Sequence, residues 1–344
     1  MTGRTGRALA LASITTAALM SAGAAHAACD GGMRKISIGV SVSPPNVVHT
    51  TPYVAKELGI FAKHCIDANI IQFDGGGSPA SKAAAAQGTA LVSVQPVAIG
   101  HGVKVKQIWT LAPRMPQAYV VDKDIKTAAD LKGKRLSAAG GGVGSFNWIM
   151  GREVLKSAGL KPEDANFLSA ATAARLTGLI AGQIDAVALH PEDVYMAKQK
   201  NEGLHVLVQL AELMPEYVFN SYGGQIAWVD GNRPLMVDTM AALIEANRTI
   251  YREKDKVVPI MVKATGKPKE AVEYAWDVET KNCVWSVNDG FDAKRTQWSI
   301  DNDVANGFIK PDAKPTVERV FDEKLAADAV KAAGGRVTIG KCSL

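Results

Sequence analysis

The sequence predicts an α/β protein whose parallel sheets are divided between two lobes. Short runs rich in β-branched residues alternate with Ala-rich helical stretches, and the same strand–helix unit begins again after residue 120. The 344 residues suffice for two domains, each large enough to bury its own core. A composition of 47% hydrophobic and 21% charged residues excludes a largely disordered or fibrous protein.

The first unit begins with a β-rich run that ends in a Pro-containing turn. In chain order we predict a strand over 36–42, a helix from Pro52 to about His64, a strand over 68–73, a helix from Ser78 to about Gly88, and strands over 90–94 and 107–111. Pro52 and Pro79 suit the first turn of a helix, because a proline there sacrifices no hydrogen bond. Ser78 suits the N-cap, because its hydroxyl can accept from a free backbone N–H.

The second unit repeats this order. We predict a strand that ends at Ser137, a glycine-rich turn over 140–145, a helix from Phe146 to Ala158, a helix that Thr172 caps and Gly182 ends, and a strand over 184–189. Leu176, Leu179 and Ile180 form the apolar face of the second of these helices, at helical spacing. From about Pro234 onward the sequence predicts mainly helices with a more charged surface.

Residues 1–27 have the features of a secretory signal peptide. Two arginines form a basic start, an uncharged run follows, and Ala25-His26-Ala27 is a cleavage motif. We expect cleavage after Ala27 and no membrane anchor, because no later stretch is apolar for the ~20 residues that a span needs. A lipoprotein attached through Cys29 is the alternative, and the three residues before that cysteine are a poor context for lipid attachment.

The charge pattern argues against a polyanionic partner. The net charge is +5, and no Lys/Arg run or alternation of basic and aromatic residues suggests a nucleic-acid surface. We therefore expect no nucleic acid among the partners.

The four cysteines are spaced for disulfides rather than for a metal. Cys29, Cys65, Cys283 and Cys342 form no C-x-x-C pair and no Cys/His cluster, which disfavours zinc binding and thioredoxin chemistry. Three complete pairings are possible, and the sequence alone does not choose among them. Cys29 and Cys65 each precede a neighbouring parallel strand of the predicted topology, which favours that pair and leaves Cys283 with Cys342.

Three predicted strand-to-helix turns, at 45–51, 75–78 and 140–145, carry the chemical signal. Each places small or hydroxylated residues at a helix N-terminus, where free backbone N–H groups and the helix dipole attract an anion. Each turn taken singly is also compatible with an ordinary cap. Three of them at corresponding places in two lobes favour a shared binding site.

Specific catalytic motifs are absent from the sequence. It contains no G-x-S-x-G, H-E-x-x-H or G-x-x-x-x-G-K-[ST] pattern, and Gly140-x-Gly142-x-x-Ser145 lacks the third glycine of a dinucleotide fingerprint. Ser145 and His190 could form part of a catalytic triad, although nothing in their spacing requires it. We therefore expect no enzyme activity, no cofactor and no metal.

The chain resembles the solute-binding proteins of ABC importers, in the family that takes up nitrate, taurine, aliphatic sulfonates and thiamin-precursor pyrimidines. Three segments carry the resemblance: Pro52-Tyr53-Val54-Ala55-Lys56-Glu57-Leu58-Gly59-Ile60-Phe61, Ala128-Ala129-Asp130-Leu131-Lys132-Gly133-Lys134, and Leu179-Ile180-Ala181-Gly182-Gln183-Ile184-Asp185-Ala186. They look like the family's first helix, its entry to the second lobe and its glycine-x-isoleucine-aspartate-alanine step. Their order in the chain is typical of the family, but it does not identify a ligand.

The resemblance implies a two-lobed type II periplasmic-binding-protein-like fold with two hinge strands. After the signal peptide 1–27, the first lobe would comprise 28–118 and 225–344, and the second lobe 119–224. A small-molecule ligand would bind between lobes that close by a hinge motion. The protein would be a periplasmic monomer whose partners are the permease subunits of an ABC importer in the inner membrane.

The resemblance also implies a set of ligand-binding residues. The first lobe would supply Pro45, Asn46, His49, Gly77, Ser78 and Gln95, the second lobe Gly144, Ser145, Phe146, His190 and Glu192, and the hinge segments Arg114 and Tyr222. Arg114 is the only arginine expected near the cleft. The ligand class stays open among a carboxylate, a sulfonate and a neutral heterocycle, and Glu192 would suit a ligand with donor groups such as an aminopyrimidine.

Two other functions are compatible with this fold. An enzyme acting on a pyrimidine-type molecule is the first, because the family resembles the yeast pyrimidine synthase of thiamin biosynthesis. That enzyme's cysteine-rich iron motif has no counterpart here, and a signal peptide is not needed by an intracellular enzyme, so binding without catalysis is favoured. The ectodomain of a receptor is the second, and it would require a membrane span beyond the fold.

Overall fold

The computed structural model describes residues 31–73 and 92–344, together with Met1, Gly3 and Cys29. The predicted signal peptide, the predicted helix over 78–88 and the expected ligand residues Gly77 and Ser78 lie outside the described residues. Within the described part of the chain, no helix is both long and apolar enough to cross a membrane.

The strands of the described residues form three hydrogen-bonded sheets. They are β1 (Arg34–Val40), β2 (Ile66–Gln72), β3 (Val92–Ser93), β4 (Val105–Ala112), β5 (Ala118–Val121), β6 (Arg135–Ser137), β7 (Asn166–Leu168), β8 (Ala186–Leu189), β9 (His205–Gln209) and β10 (Asn220–Gln225). β1 and β2 pair in parallel, β3, β10 and β4 form a three-stranded sheet, and the third sheet has the order β7-β6-β8-β5-β9. The third sheet is mixed, because β6 runs parallel to β7 and β8 while β5 runs antiparallel to β8 and β9.

Helices cover the sheets and form most of the C-terminal part. The α-helices of the described residues are α1 (Thr51–Glu57), α2 (Ile60–Lys63), α3 (Pro96–Gly100), α4 (Phe146–Ser157), α5 (Arg175–Ile180), α6 (Pro191–Lys200), α7 (Leu210–Leu213), α8 (Ile226–Gly231), α9 (Arg233–Arg252), α10 (Lys254–Thr265), α11 (Lys269–Lys281), α12 (Ala293–Ala305), α13 (Val317–Val320) and α14 (Glu323–Ala332). Short 3-10 helices occur at Val47–His49, Ala128–Leu131, Pro162–Asp164, Thr172–Ala174 and Pro311–Ala313.

The sheets define two lobes. The first lobe contains β1–β4, β10, α1–α3 and α8–α14, and the second contains β5–β9 and α4–α6. The chain passes between them along residues 113–117 and again along 210–219, after which β10 pairs antiparallel with β4. By its hydrogen bonds β10 belongs to the first lobe, whereas the expected boundary at 224/225 assigns most of it to the second. The boundaries at 27/28 and 118/119 stay predictions.

Each lobe has a core that follows from its sequence pattern. In β1, Ile36 and Ile38 are buried against α1, where Val54 and Ala55 are also buried. In the second lobe all four residues of β8 are buried, as expected for a central strand with helices on both faces. These buried strands fix the positions of the loops that follow them, and those loops form the site described below.

The predicted helix from Pro52 to about His64 is interrupted. Helix α1 ends at Glu57, and α2 begins at Ile60 after Gly59, whose φ is +70°. This left-handed conformation is easy for glycine and unfavourable for residues with a Cβ, so Gly59 ends the first helical segment.

Both disulfides of the favoured pairing are present. Cys29 is joined to Cys65 and Cys283 to Cys342, across sequence separations of 36 and 59 residues. The first attaches the segment before β1 to the start of β2, and the second attaches the C-terminal residues to the end of α11. Both disulfides therefore lie in the first lobe.

Candidate functional site

A cavity of about 390 Å³ lies where the two lobes meet, beyond the carboxyl ends of β1, β6 and β8. Its walls combine polar side chains, glycine backbone and aromatic rings. The lining residues are Ser41, Val42, Asn46, His49, Gln95, Val97, Gln117, Ala139, Gly140, Gly141, Val143, Gly144, Ser145, Phe146, Asn147, Ile149, Thr172, Arg175, His190, Tyr217, Phe219 and Asn220. Clefts of this size at the carboxyl edge of α/β sheets are the usual binding sites for small molecules.

The first-lobe wall is built from buried side chains. Asn46 caps the 3-10 helix that follows β1, and His49 ends that helix. Asn46 is held at both ends of its amide: Nδ2 donates to Glu192 Oε1 at 2.8 Å, and Oδ1 accepts from Arg175 Nη2 at 3.4 Å. Because Glu192 and Arg175 belong to the second lobe, these bonds join the lobes at the cavity.

The second-lobe wall is a glycine-rich loop at the start of α4. Gly140, Gly141, Gly142 and Gly144 all have positive φ values, between +76° and +132°. Ser145 is the N-cap of α4, and its Oγ accepts from Trp148 N at 3.3 Å. The first N–H groups of a helix have no intrahelical partner, so the end of α4 presents backbone donors to the cavity.

Three aromatic rings pack around Phe219, a residue that was not expected at the site. The ring centroids of His49, Phe146 and His190 lie 5.7–5.9 Å from that of Phe219, in tilted or edge-on arrangements. Edge-on contacts in this distance range are favourable for aromatic rings. Phe219 lies in the second crossing segment, so the ring cluster connects both lobes to the hinge region.

Arg175, at the start of α5, is the cationic side chain of the cavity lining. Its Nη2 contacts Asp193 Oδ2 at 3.2 Å, and the side chain is 7% exposed. Among the residues that the structure describes, only Nη2 of this guanidinium makes a hydrogen bond. The remaining N–H groups of Arg175 are therefore available to a bound molecule, while Asp193 pairs with both Arg175 and Lys267.

Both histidines of the cavity are neutral at physiological pH. Burial, together with the nearby Arg175 charge, lowers the pKa of His49 to about 3. Burial also holds the pKa of His190 well below its usual value, and the charges of Arg175 and Lys267 act in the same direction. A neutral imidazole keeps one donor and one acceptor, so both rings can hydrogen-bond a polar solute.

Several buried polar atoms around the cavity have no hydrogen-bond partner among the described residues. They are His49 Nδ1, Gln117 Oε1, Asn147 Oδ1, His190 Nδ1 and Asn220 Oδ1. Leaving such groups unpaired is costly, so most buried polar groups in proteins find a partner. Their concentration at one cavity indicates a place where a polar solute completes the hydrogen bonds.

The structure brings seven of the expected ligand residues to this cavity. They are Asn46, His49, Gln95, Gly144, Ser145, Phe146 and His190. These residues follow strands β1, β3, β6 and β8, whose carboxyl ends meet at the cavity.

Four other expected residues lie elsewhere. Pro45 is buried outside the lining, and Glu192 is fully buried behind Asn46, where it also accepts from Val47 N. Tyr222 is buried in β10 and stacks on Trp109. Arg114 is exposed and lines a separate pocket with Gln209, Glu212 and Lys341, because the first crossing segment directs it to solvent.

Sequence reasoning missed Arg175, Gln117, Phe219 and Asn220. Arg175 carried a usable signal, because a cation in the first turn of a helix opposes the helix dipole and therefore suggests another role. The other three lie in or next to the crossing segments, which have no periodic pattern. The expectation that Arg114 is the only arginine near the cleft is wrong, since Arg175 lines the cavity.

Comparison with known proteins identifies the family. The NMT1/THI5 like family matches residues 46–256, more than half of the chain. This chain belongs to that family. The matched range includes both crossing segments and, apart from Ser41 and Val42, the described lining of the cavity. No curated protein sequence matches the chain.

Solved structures with this fold include transport proteins and an enzyme. The alkanesulfonate-binding protein SsuA from Xanthomonas axonopodis pv. citri, bound to MOPS, is 17% identical, with a TM-score of 0.67 over 85% of this chain and 99% of that one. The periplasmic nitrate-binding protein NrtA from Synechocystis PCC 6803 is 13% identical, with a TM-score of 0.68 over 87% and 89%. The desulfurization enzyme DSZB is 14% identical, with a TM-score of 0.56 over 87% and 99%. At these identities the likeness establishes the two-lobed periplasmic-binding-protein fold.

Proposed function

We propose that this chain is the periplasmic solute-binding component of an ABC importer and that it holds a small organic solute between its two lobes. The observation that carries the proposal is the interlobe cavity with its unpartnered buried polar atoms. Leaving such atoms without hydrogen bonds costs free energy, and a complementary solute would supply the missing bonds. The same fold in sulfonate- and nitrate-binding proteins supports the assignment.

The two crossing segments support binding by lobe closure. Gln117 and Phe219 line the cavity from these segments, so a rotation about them changes the cavity directly. Hinge closure around a ligand is a common motion of two-lobed proteins. The closed monomer would then be the form that the permease subunits recognise, and the signal peptide would deliver the chain to the periplasm.

The cavity best suits a planar solute with several hydrogen-bonding groups. The rings of His49, Phe146, His190 and Phe219 offer flat apolar contact, and side-chain amides supply both donors and acceptors. Arg175 is the single charged side chain among the described lining residues, and it pairs with Asp193, so the lining carries little charge. A pyrimidine-like heterocycle fits this combination of rings, amides and low charge.

An organic sulfonate or carboxylate is the second candidate. The free N–H groups of Arg175 and the backbone donors at the start of α4 favour an oxyanion at the second-lobe wall. The aromatic rings would contact the organic part of such a solute. A bare inorganic anion would leave those rings without a partner.

Binding, rather than catalysis, is the proposed role of the histidines. Both are neutral, and each contacts the aromatic cluster. An enzyme on this fold would convert the bound compound. Incubation of the purified protein with each compound that binds, followed by product analysis, should return the compound unchanged; turnover would contradict the proposed role.

Native mass spectrometry of the mature protein tests the proposal. We expect a discrete small mass on the folded protein that is lost on unfolding. If the protein is purified without a solute, thermal shifts are measured with pyrimidines, sulfonates and carboxylates, because a ligand at 100 times its Kd stabilises by about 2.7 kcal/mol. Absence of any mass and of any shift would refute the binding role.

A variant pair localises the site. Ser145→Trp fills the second-lobe side of the cavity and should reduce solute affinity at least about tenfold, which corresponds to about 1.4 kcal/mol. Ser157→Trp places the same side chain on an exposed residue at the opposite end of α4 and should bind as the wild type does. Equal affinities of the two variants would remove the start of α4 from the site.

A further inference from the structure

Behind the His190 wall of the cavity, three metal-ligating side chains converge. One ring nitrogen of His190 and one carboxylate oxygen each of Glu192 and Glu279 lie within 4.8 Å of one another. The relative exposure of these residues is 2%, 0% and 0%. His190 and Glu192 begin helix α6 of the second lobe, and Glu279 lies near the end of α11 of the first lobe, which packs against α6.

Each of the three side chains that converge here has at least one atom without a hydrogen-bond partner among the described residues. His190 Nδ1, Glu192 Oε2 and both oxygens of Glu279 are unpaired. By contrast, Glu192 Oε1 accepts from Asn46 Nδ2 at 2.8 Å and from Val47 N at 3.1 Å. A carboxyl group that is fully buried with neither oxygen bonded is unusual, because its desolvation is uncompensated.

The neighbouring cations do not compensate Glu279. Lys267 forms an ion pair with Asp193 and lies 3.8 Å from Glu192 Oε1, and Arg175 also pairs with Asp193. Within the described part of the chain, Glu279 forms no ion pair. Glu279 therefore lacks a compensating cation within this buried group, and a metal ion between Glu192 and Glu279 would supply one.

The sequence of α11 makes the position of Glu279 more significant. Val272 and Ala275, seven and four residues earlier, are fully buried on the same helical face. An acidic residue that continues an apolar stripe into the interior serves no packing purpose. Such a residue needs a specific partner.

We propose that His190, Glu192 and Glu279 bind one divalent transition-metal ion, of which Zn²⁺ is a representative. One imidazole and two carboxylates form a three-ligand set that zinc accepts, with a further position for water or a solute atom. The site joins the two lobes, so the ion favours the lobe arrangement in which these three side chains converge. It adjoins the solute cavity, because His190 lines the cavity whereas Glu192 and Glu279 do not.

Gln117 completes the site as an outer partner. His190 Nε2 lies 2.9 Å from Gln117 Nε2, while Gln117 Oε1 is unpaired. When His190 Nδ1 binds the ion, His190 Nε2 carries the ring proton. Rotation of the Gln117 amide by half a turn then lets Oε1 accept a hydrogen bond from Nε2–H. Ligating histidines usually donate their second N–H to such an acceptor, which fixes the tautomer.

The test uses untagged mature protein treated with a chelator and then titrated with Zn²⁺ by isothermal calorimetry. We expect one Zn²⁺ per chain. Glu279→Gln should weaken binding more than about 100-fold, beyond the range that loss of an outer partner produces. The matched control Glu270→Gln, an exposed acid on the same helix, should bind as the wild type does.

Failure of the wild type to bind Zn²⁺, or equal affinity in Glu279→Gln and Glu270→Gln, overturns the proposal. In that case a proton shared by Glu192 and Glu279 occupies the cluster. If Glu279→Gln does not fold, the wild type is loaded with Co²⁺ and its visible absorption is recorded. Displacement of that spectrum by one equivalent of Zn²⁺ supports a single buried site, and a spectrum indistinguishable from that of aqueous Co²⁺ overturns it.

Discussion

The two walls of the cavity are constructed in opposite ways. On the first-lobe wall, Asn46 and His49 are at most 5% exposed, and hydrogen bonds or ring contacts hold them. On the second-lobe wall, Gly141, Val143 and Gly144 are exposed, and the loop offers backbone rather than side chains. The first wall is therefore a fixed recognition surface, whereas the second can adjust to different solutes.

The difference explains which wall sets specificity. A buried amide or imidazole has a fixed direction, so it rejects solutes that cannot match its donors and acceptors. Backbone N–H groups at a helix start accept any oxyanion or acceptor of suitable size. Changes to the first wall should therefore affect both stability and ligand selection, and changes to the second should act mainly through the loop.

The largest effect is expected from Asn46→Leu. This change removes the amide donor to Glu192 and the acceptor of Arg175, leaving two buried charged groups with fewer partners. We expect a loss of about 3 kcal/mol in the free energy of unfolding, measured by chemical denaturation. Asn166→Leu, at an exposed residue that donates to Gly133 O, should cost at most about 1 kcal/mol. Equal losses would mean that the first wall is not fixed by this network.

A smaller effect is expected from Gly140→Ala in the second wall. Gly140 has a φ of +87°, and an added Cβ would lie 2.9 Å from Thr172 Oγ1. We expect a loss of about 2 kcal/mol from backbone strain and this contact. The control Gly142→Ala has a similar φ of +76°, but its added Cβ would lie 3.8 Å from Ser169 Oγ, an ordinary contact, so it should lose only about 1 kcal/mol. If the two losses are the same, Thr172 does not restrain the loop.

The pH dependence of stability should be larger for the first wall than for the loop 139–149 of the second wall, because this loop contains no titratable side chain. His49 has a pKa of about 3 in the folded protein, below its ordinary value of 6.5. The unfolded chain then binds more protons, so His49 lowers stability as the pH falls from about 6.5 towards 3. The slope has an upper limit of about 1.4 kcal/mol per pH unit.

Comparison of His49→Gln with the wild type isolates this contribution. Glu192 acts in the opposite direction, because burial raises its pKa and its contribution declines as the pH rises. Since Glu192 is common to both proteins, the difference between their stability curves belongs to His49. Identical slopes below pH 6.5 would show that His49 is protonated equally in the folded and unfolded chains.

The smallest effect is expected from Ser145→Ala. The N-cap hydroxyl accepts from Trp148 N, and its loss should cost about 1 kcal/mol in unfolding free energy. Ser157→Ala, at the exposed C-terminal end of the same helix, should change the free energy by no more than about 0.5 kcal/mol. A larger loss at Ser157 than at Ser145 would contradict the role of the cap.

The sequence predicted those features that depend on local patterns. The strand at 68–73 was expected from its β-branched residues, and β2 is Ile66–Gln72; the helix from Phe146 to Ala158 corresponds to α4. Ser145 was expected at a helix start, because an N-cap hydroxyl before a helix-forming run is a local signal. Residues directly after buried strands were therefore placed near the cavity.

Features that depend on contacts between lobes could not be predicted. Glu192 follows a strand as His190 does, but it turns away from the cavity because Asn46 and Val47 of the other lobe supply its donors. Phe219 and Gln117 lie in crossing segments, where the direction of a side chain depends on contacts with both lobes. The interruption at Gly59 could not be predicted either, because a glycine at this position is compatible with a continuous helix and with an interrupted one.

The position of β10 between β3 and β4 has a consequence for how the molecule is made. The second lobe is one uninterrupted stretch of chain, so its five-stranded sheet can assemble once β9 has left the ribosome or the export channel. The first lobe cannot complete its three-stranded sheet until β10 arrives, and α9 and α14, which pack against each other, come later still. We therefore expect the lobe that begins the chain to finish folding last.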